Sequence, residues 1–256
     1  MPHLHQDIFH WRTNEPSLDP TLPSSYRPVS NVTFLSKLVE RAVYHQLKVY
    51  LDTNNLLPAY QSGFRAFHST ETAVIKVYND IVIASDAGKL TALMMLDYAA
   101  AFDTVDHDIL LDILRVTFGL SGTILDWIRS FLSGRTQVIH VGDTNSSPMT
   151  LLFGVPQGSV LGPLFYILYA ADIIEVFERH GFSVHRYADD SQVFIHFVLK
   201  DVKAILSAAE LCIVEVLVWS SSRRLKLQGA KTELIIIDRT NWIGDGFHHP
   251  VRRDIN

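Results

Sequence analysis

Three aspartates carry the strongest chemical signal in the sequence: Asp97, and the adjacent pair Asp189 and Asp190. Neighbouring carboxylates at a tight turn repel one another unless a cation or a basic side chain compensates them. An aspartate at a strand end and an acidic hairpin tip from the same sheet would gather all three, although they are far apart in the chain. Carboxylate oxygens are hard ligands, and such a set suits Mg2+, which combines carboxylates with water and phosphate oxygens. Two ions held this way would activate an attacking hydroxyl and stabilise a departing pyrophosphate. Taken alone, an Asp-Asp turn is more often simply solvated, so the surrounding elements have to decide.

The patterning supplies those elements. Thr91–Leu96 is an apolar run that reads as a buried strand leading straight into Asp97. Ser183–Tyr187 and Gln192–Phe197 flank Ala188–Ser191, which predicts a hairpin with acidic residues at its tip. Apolar residues at helical spacing predict helices over Leu35–Leu51, with Ser36 as its cap, and over Thr70–Ala84. Asp103 and Asp106 read as capping residues for a helix through Ile109, Leu110, Ile113, Leu114 and Phe118, closed by Gly119. Leu161–Phe177 and Val202–Trp219 predict two more helices. Gln137–Val141, Met149–Phe153 and Glu233–Ile237 predict strands, the first two around a polar turn at Gly142–Pro148. Helices and strands mix without a regular alternation, so the expected class is α+β.

The bulk composition constrains partners only loosely. The 256 residues are 48% hydrophobic and 19% charged, enough for a sizeable core and too apolar for a disordered chain. A formal charge of −5 argues against a simple phosphate-coating protein, though not against a local cleft using bound cations. Basic residues gather locally at Arg223, Arg224, Lys226 and Lys231. No apolar run is long enough to span a membrane, and the N-terminal residues do not have the pattern of a secretory signal. A single cysteine, Cys212, excludes an internal disulfide framework and fits an intracellular setting, nucleus or cytoplasm. Its expected role is that of a small buried apolar residue.

Tyr187-Ala188-Asp189-Asp190 is similar to the tetrapeptide of the reverse-transcriptase active-site hairpin. Upstream, Leu96-Asp97-Tyr98-Ala99-Ala100-Ala101-Phe102-Asp103 and Gly154-Val155-Pro156-Gln157-Gly158-Ser159 resemble, in the right order, that family's first palm aspartate motif and its Pro-Gln-Gly motif. Tyr26-Arg27-Pro28-Val29-Ser30-Asn31, Gln61-Ser62-Gly63-Phe64-Arg65 and His68-Ser69-Thr70-Glu71 look like its fingers motifs. Leu225-Lys226-Leu227 with Lys231-Thr232-Glu233 resembles the next palm motif. The specific wording points to a resemblance with non-LTR retrotransposons of the jockey-like kind, and it covers about residues 25–237.

The resemblance implies a right-hand polymerase with fingers and an antiparallel palm sheet. It also implies RNA-directed DNA synthesis from an RNA template, a DNA primer and dNTPs. Asp97, Asp189 and Asp190 would bind two Mg2+ ions, with Mn2+ as an alternative. Lys231 would protonate the leaving pyrophosphate. Arg27 and Arg65 would hold the triphosphate, Phe102 would be the steric gate against a 2′-hydroxyl, and Gln157 with Gly158 would lie against the incoming nucleotide. The expected organisation is a loose lead-in over 1–24, a fingers/palm domain over 25–238 and an irregular tail over 239–256. Arg223, Gln228, Ala230, Ala99 and Ala171 depart from residues common in the family, but none is a proposed catalytic position. A complete element of this kind also carries an endonuclease before this region and a thumb after it, and neither fits in the flanking residues. A second reading is therefore a thumbless, catalytically idle remnant that folds and binds nucleic acid. An RNA-templated RNA polymerase is disfavoured by the bulk of Phe102. The oligomeric state is not set by the sequence.

Overall fold

The computed structural model describes residues 6–13, 26–30, 32–141, 144–238 and 251–254. The chain begins with strands β1 (Gln6–Thr13) and β2 (Tyr26–Ser30), then helices α1 (Phe34–Thr53) and α2 (Thr70–Asp86). Strands β3 (Leu90–Leu96) and β4 (Tyr98–Ala99) precede helices α3 (His107–Val116) and α4 (Thr123–Leu132). Three strands follow, β5 (Thr136–Val141), β6 (Thr144–Asn145) and β7 (Met149–Thr150), then helices α5 (Gly162–Tyr169) and α6 (Ile173–Arg179). The last elements are β8 (Ser183–Tyr187), β9 (Asp190–Phe197), α7 (Val202–Ser222), β10 (Lys226–Leu227), β11 (Glu233–Ile237) and β12 (Val251–Asp254). This is the expected mixture of helices with antiparallel strands. No helix among the described residues is long and apolar enough to cross a membrane.

Two compact units share these elements: Met1–Leu57 with Phe102–Tyr169, and Pro58–Ala101 with Ala170–Asn256. In the first, α3 and α4 are amphipathic and bury Leu110, Leu114, Ile128 and Leu132 completely. Each such side chain contributes about 1.5–3 kcal/mol. α5 is buried on every side from Leu164 to Tyr169, which is why its sequence shows no polar face. A five-stranded sheet in this unit has the path β2-β1-β5-β6, with β7 also on β5; β1 and β5 run parallel. β1 lies inside the stretch expected as a loose lead-in, whose residues 1–5 and 14–24 fall outside the described residues.

The second unit is built on an antiparallel sheet of order β12-β11-β3-β9-β8. Its register is set by alternation: Leu93 pairs with Phe194 and Ile235, whereas the next pairs, Met94 with Val193 and Leu234, belong to the opposite face. Helix α2 covers the first face, packing Val77 and Ile81 on Phe194, Leu93 and Ile237. A Ser69–Thr72 capping box starts α2. α7 is long and half-buried, and it carries Cys212, wholly buried as expected, with burial pushing its thiol up to about 12. The expected tail beyond Asp238 falls outside the described residues except for β12, which pairs with β11.

Several boundaries differ from the sequence expectation. Thr33, not Ser36, caps α1; Ser36 instead donates its hydroxyl to Glu40. The helix expected over Leu161–Phe177 is two helices, because tertiary partners claim polar groups at the break. Ala170 O accepts from Arg186 Nη1 at 2.6 Å, and the Asp172 carboxylate takes Trp219 Nε1 and the Arg223 guanidinium. The strand expected over Met149–Phe153 is only Met149–Thr150, paired to β5.

Candidate active site

The acids sit where two strands of the second unit's sheet end. β3 and β9 pair down to Leu96 opposite Ser191, so the next residues, Asp97 and Asp190, are neighbours across the ladder. β8 and β9 pair up to Tyr187 opposite Asp190, which leaves Ala188 and Asp189 as a two-residue turn. Ala188 has φ +55°. Positive φ at the first turn position suits the twist of a hairpin and normally selects glycine; alanine there costs about 1–2 kcal/mol. This single strained residue re-aims the chain between Tyr187 and the two aspartates.

Asp97 is fixed through its backbone as well. β4 follows it at once and pairs with β10, and the Gln228 N–H donates to Asp97 O at 2.9 Å. That pairing carries the chain into the turn Gly229–Lys231, which delivers Lys231 Nζ to 3.2 Å from Asp97 Oδ2. Lys231 is mostly exposed, so the pair is worth at most about 1 kcal/mol, but it places an ammonium at the acidic site. Among the described residues no group of three or more His, Cys, Asp or Glu side chains lies close enough to hold a metal ion. Like charges repel, and Lys231 supplies the compensating charge to Asp97. The donor types and the backbone register still fit a hard divalent cation.

One further expected residue, Arg65, belongs to the second unit. Arg65 is half-buried and turns back on its own loop, with Nη1 3.4 Å from both Pro58 O and Ala59 O.

The first unit brings together Phe102, Gln157 and Gly158 through two interlocked loops. Val155 N–H donates to Phe102 O and Gly154 N–H donates to Val105 O, each at 2.8 Å. Gly154 has φ +89°, and a Cβ on it would lie 2.9 Å from Asp103 O, so only glycine allows this approach. The Phe102 ring stacks on Tyr166 at 4.7 Å between centroids. Gln157 donates through Nε2 to both carboxylate oxygens of Asp103 at 3.2 Å, and Gly158 follows with φ +92°. Asp103 is therefore no helix cap, contrary to expectation. Asp106 alone takes that role, accepting from Asp108 N and Ile109 N. Burial pushes the Asp103 carboxyl up, with the Gln157 hydrogen bond opposing. Arg27 lies in β2, opposite Arg12 of β1; its side chain falls outside the described residues.

Two supporting residues were not anticipated. Glu40, 1% exposed, accepts from Val160 N at 2.7 Å and Leu161 N at 3.1 Å, anchoring the chain just beyond Gly158. An acid in phase with Leu47 and Leu51 on the buried stripe of α1 is a readable sign of such a role. Gln61, 3% exposed, binds the backbone of Ala188 in the acidic turn.

Comparison with known proteins gives this arrangement a context. The model of a family described as reverse transcriptase (RNA-dependent DNA polymerase) matches residues 14–247. A probable RNA-directed DNA polymerase from transposon BS of Drosophila melanogaster is 36% identical over 151 residues, 59% of this chain and 16% of that protein. The RNA-directed DNA polymerase from mobile element jockey of the same species is 33% identical over 194 residues, 74% of this chain and 20% of its own length. The chain thus spans a fifth or less of these relatives. Among solved structures, telomerase from Candida tropicalis in complex with the TWJ fragment of telomeric RNA has a TM-score of 0.64 at 11% identity, covering 93% of this chain and 42% of that one. The apo telomerase from the same organism, truncated from its C-terminal domain, has a TM-score of 0.60 at 15% identity, with 100% and 54% covered. At these identities the likeness is one of fold.

Proposed function

The chain belongs to the reverse transcriptase (RNA-dependent DNA polymerase) family, and we propose that it carries the nucleotidyl-transfer centre of an RNA-directed DNA polymerase. The observation that carries this reading is the strand register that makes Asp97 and the Asp189–Asp190 turn neighbours at one end of an antiparallel sheet. In this reading that sheet is the palm, and Asp97, Asp189 and Asp190 hold two Mg2+ ions. Such ions, when bound, supply activation of a primer 3′-hydroxyl and neutralise charge on the departing pyrophosphate.

The chain's own groups do the rest. Lys231 donates a proton to the pyrophosphate, a role supported by its ammonium standing beside Asp97. Arg27 and Arg65 bind triphosphate oxygens, for which a guanidinium fork is suited. Gln157, oriented by Asp103, and the glycine after it form the backbone approach to the incoming nucleotide. Phe102, braced on Tyr166, excludes a 2′-hydroxyl. The partners are an RNA template, a DNA primer and dNTPs. The test is extension of oligo(dT) on poly(rA) by the purified 256-residue chain with dTTP and Mg2+. Extension that stops on metal chelation is expected; folded protein that extends nothing would favour the idle remnant instead.

A further inference from the structure

We propose that Gln61 is a positioning residue that holds the acidic hairpin in its strained turn, an inference that rests on the nucleotidyl-transfer reading for its consequence in catalysis. The Gln61 carboxamide grips Ala188 from both sides. Its Oε1 accepts from the Ala188 N–H at 3.0 Å, and its Nε2 donates to Ala188 O at 3.0 Å. The same Oε1 accepts from Gly63 N–H at 2.8 Å, so two backbone donors fix which end of the amide is oxygen. Ala188 is a non-glycine residue at φ +55°, a conformation that persists only where the surroundings over-determine it.

The neighbouring contacts show that the grip is built into the fold. Arg186 N–H donates to Tyr60 O at 2.8 Å and Ser62 N–H donates to Arg186 O at 2.9 Å, so the 60–62 segment runs as a short parallel rung beside the hairpin. Gly63 lets that segment close on the turn: a Cβ there would sit 2.3 Å from Ala188 N. On the other flank, the wholly buried Arg186 guanidinium donates through Nε to Ser191 Oγ and through Nη1 to Ala170 O. Asp189 and Asp190 therefore lie between residues 188 and 191, both pinned. Gln61's three hydrogen bonds all go to backbone atoms, which makes it a positioning residue rather than a catalytic one.

The experiment uses Gln61→Met, which keeps the side chain's size and removes all three hydrogen bonds. Amide exchange at Ala188 is expected to quicken by about tenfold or more in the otherwise folded chain. In the primer-extension assay kcat is expected to fall about tenfold while KM for dTTP stays within about twofold. Adding Ala188→Gly, which adopts positive φ without strain, should recover about threefold or more of the lost kcat. A generally destabilised core would not be rescued by that change. Unchanged exchange at Ala188, a kcat within about twofold of wild type, or a loss that Ala188→Gly does not recover would each overturn the proposal. If the wild-type chain extends no primer, the nucleotidyl-transfer reading falls while exchange at Ala188 still decides the grip. Should Gln61→Met not fold, Gln61→Asn, which keeps a neutral carboxamide but draws it back by one methylene from Ala188, is read by the same measurements.

Discussion

Phe102 has two roles to separate, because a half-buried ring stacked on Tyr166 can serve both packing and selection. If the ring excludes a 2′-hydroxyl, Phe102→Val opens that space and raises incorporation of ribonucleotides relative to deoxyribonucleotides. If it only packs, truncation costs stability, up to about 3–5 kcal/mol for a full change to Ala, and leaves sugar choice alone. Competition between rUTP and dTTP in a folded Phe102→Val variant distinguishes the two, and unchanged selectivity would remove Phe102 from the nucleotide site. The motifs holding the aspartates, Phe102 and the Pro156-Gln157-Gly158 turn can be picked out in the sequence because residue type and order alone mark them, and the family they resemble is the one whose model matches. Asp103 and Gln61 are not legible in this way, because their roles exist only through partners 54 and 127 positions away; of Glu40 the place on an apolar stripe is readable, but not its partner 120 positions away. Asp103 shows the difficulty best: local spacing favours a helix cap, and a distant glutamine takes the carboxylate instead.

Between α2 and the sheet, two histidines make the packing sensitive to pH. His185 of β8 and His196 of β9 are half-buried with ring pKa values lowered from 6.5, chiefly by burial. Lys76 acts in the same direction on both, His68 on His185 and Lys89 on His196, while Asp80 opposes. A depressed folded-state pKa gives stability that is present above 6.5 and lost as pH falls through the folded value, since the unfolded chain takes up protons first. Thermal melts should therefore show the wild type losing stability from about pH 7 to 5, and a His185→Gln/His196→Gln variant losing less. Parallel curves for the two would refute the assignment. At this scale the sequence is a good guide wherever one face is buried: α2, β3, β8, β11 and α7 follow their apolar periodicity. It misleads at α5 and α6, where apolar residues continue at helical spacing past a break that Arg186, Trp219 and Arg223 set at Ala170 and Asp172. It is silent on α4, whose start at Gly122 has no side-chain cap to announce it.

For the molecule as a whole, the fold class follows from the mixture of patterns, whereas the division into two units does not. Each unit is assembled from two separated stretches of chain, and no composition shift marks the changes at residues 57, 101 and 169. The net charge of −5 places the weight of any nucleic-acid chemistry on a local arrangement of acids and cations rather than on a basic surface. The central claim is that Asp97, Asp189 and Asp190 form that arrangement. The most direct test compares wild type with Asp97→Asn and Asp189→Asn for oligo(dT) extension on poly(rA) with Mg2+, alongside the melting temperature of each metal-free protein. Asparagine keeps the shape and removes one charge, so both variants should fold, with melting temperatures equal to or above wild type as repulsion is relieved. Their extension should fall by about a thousandfold or more, as for loss of a group acting only in the transition state. Extension within about threefold of wild type by either folded variant would contradict the assignment of these acids.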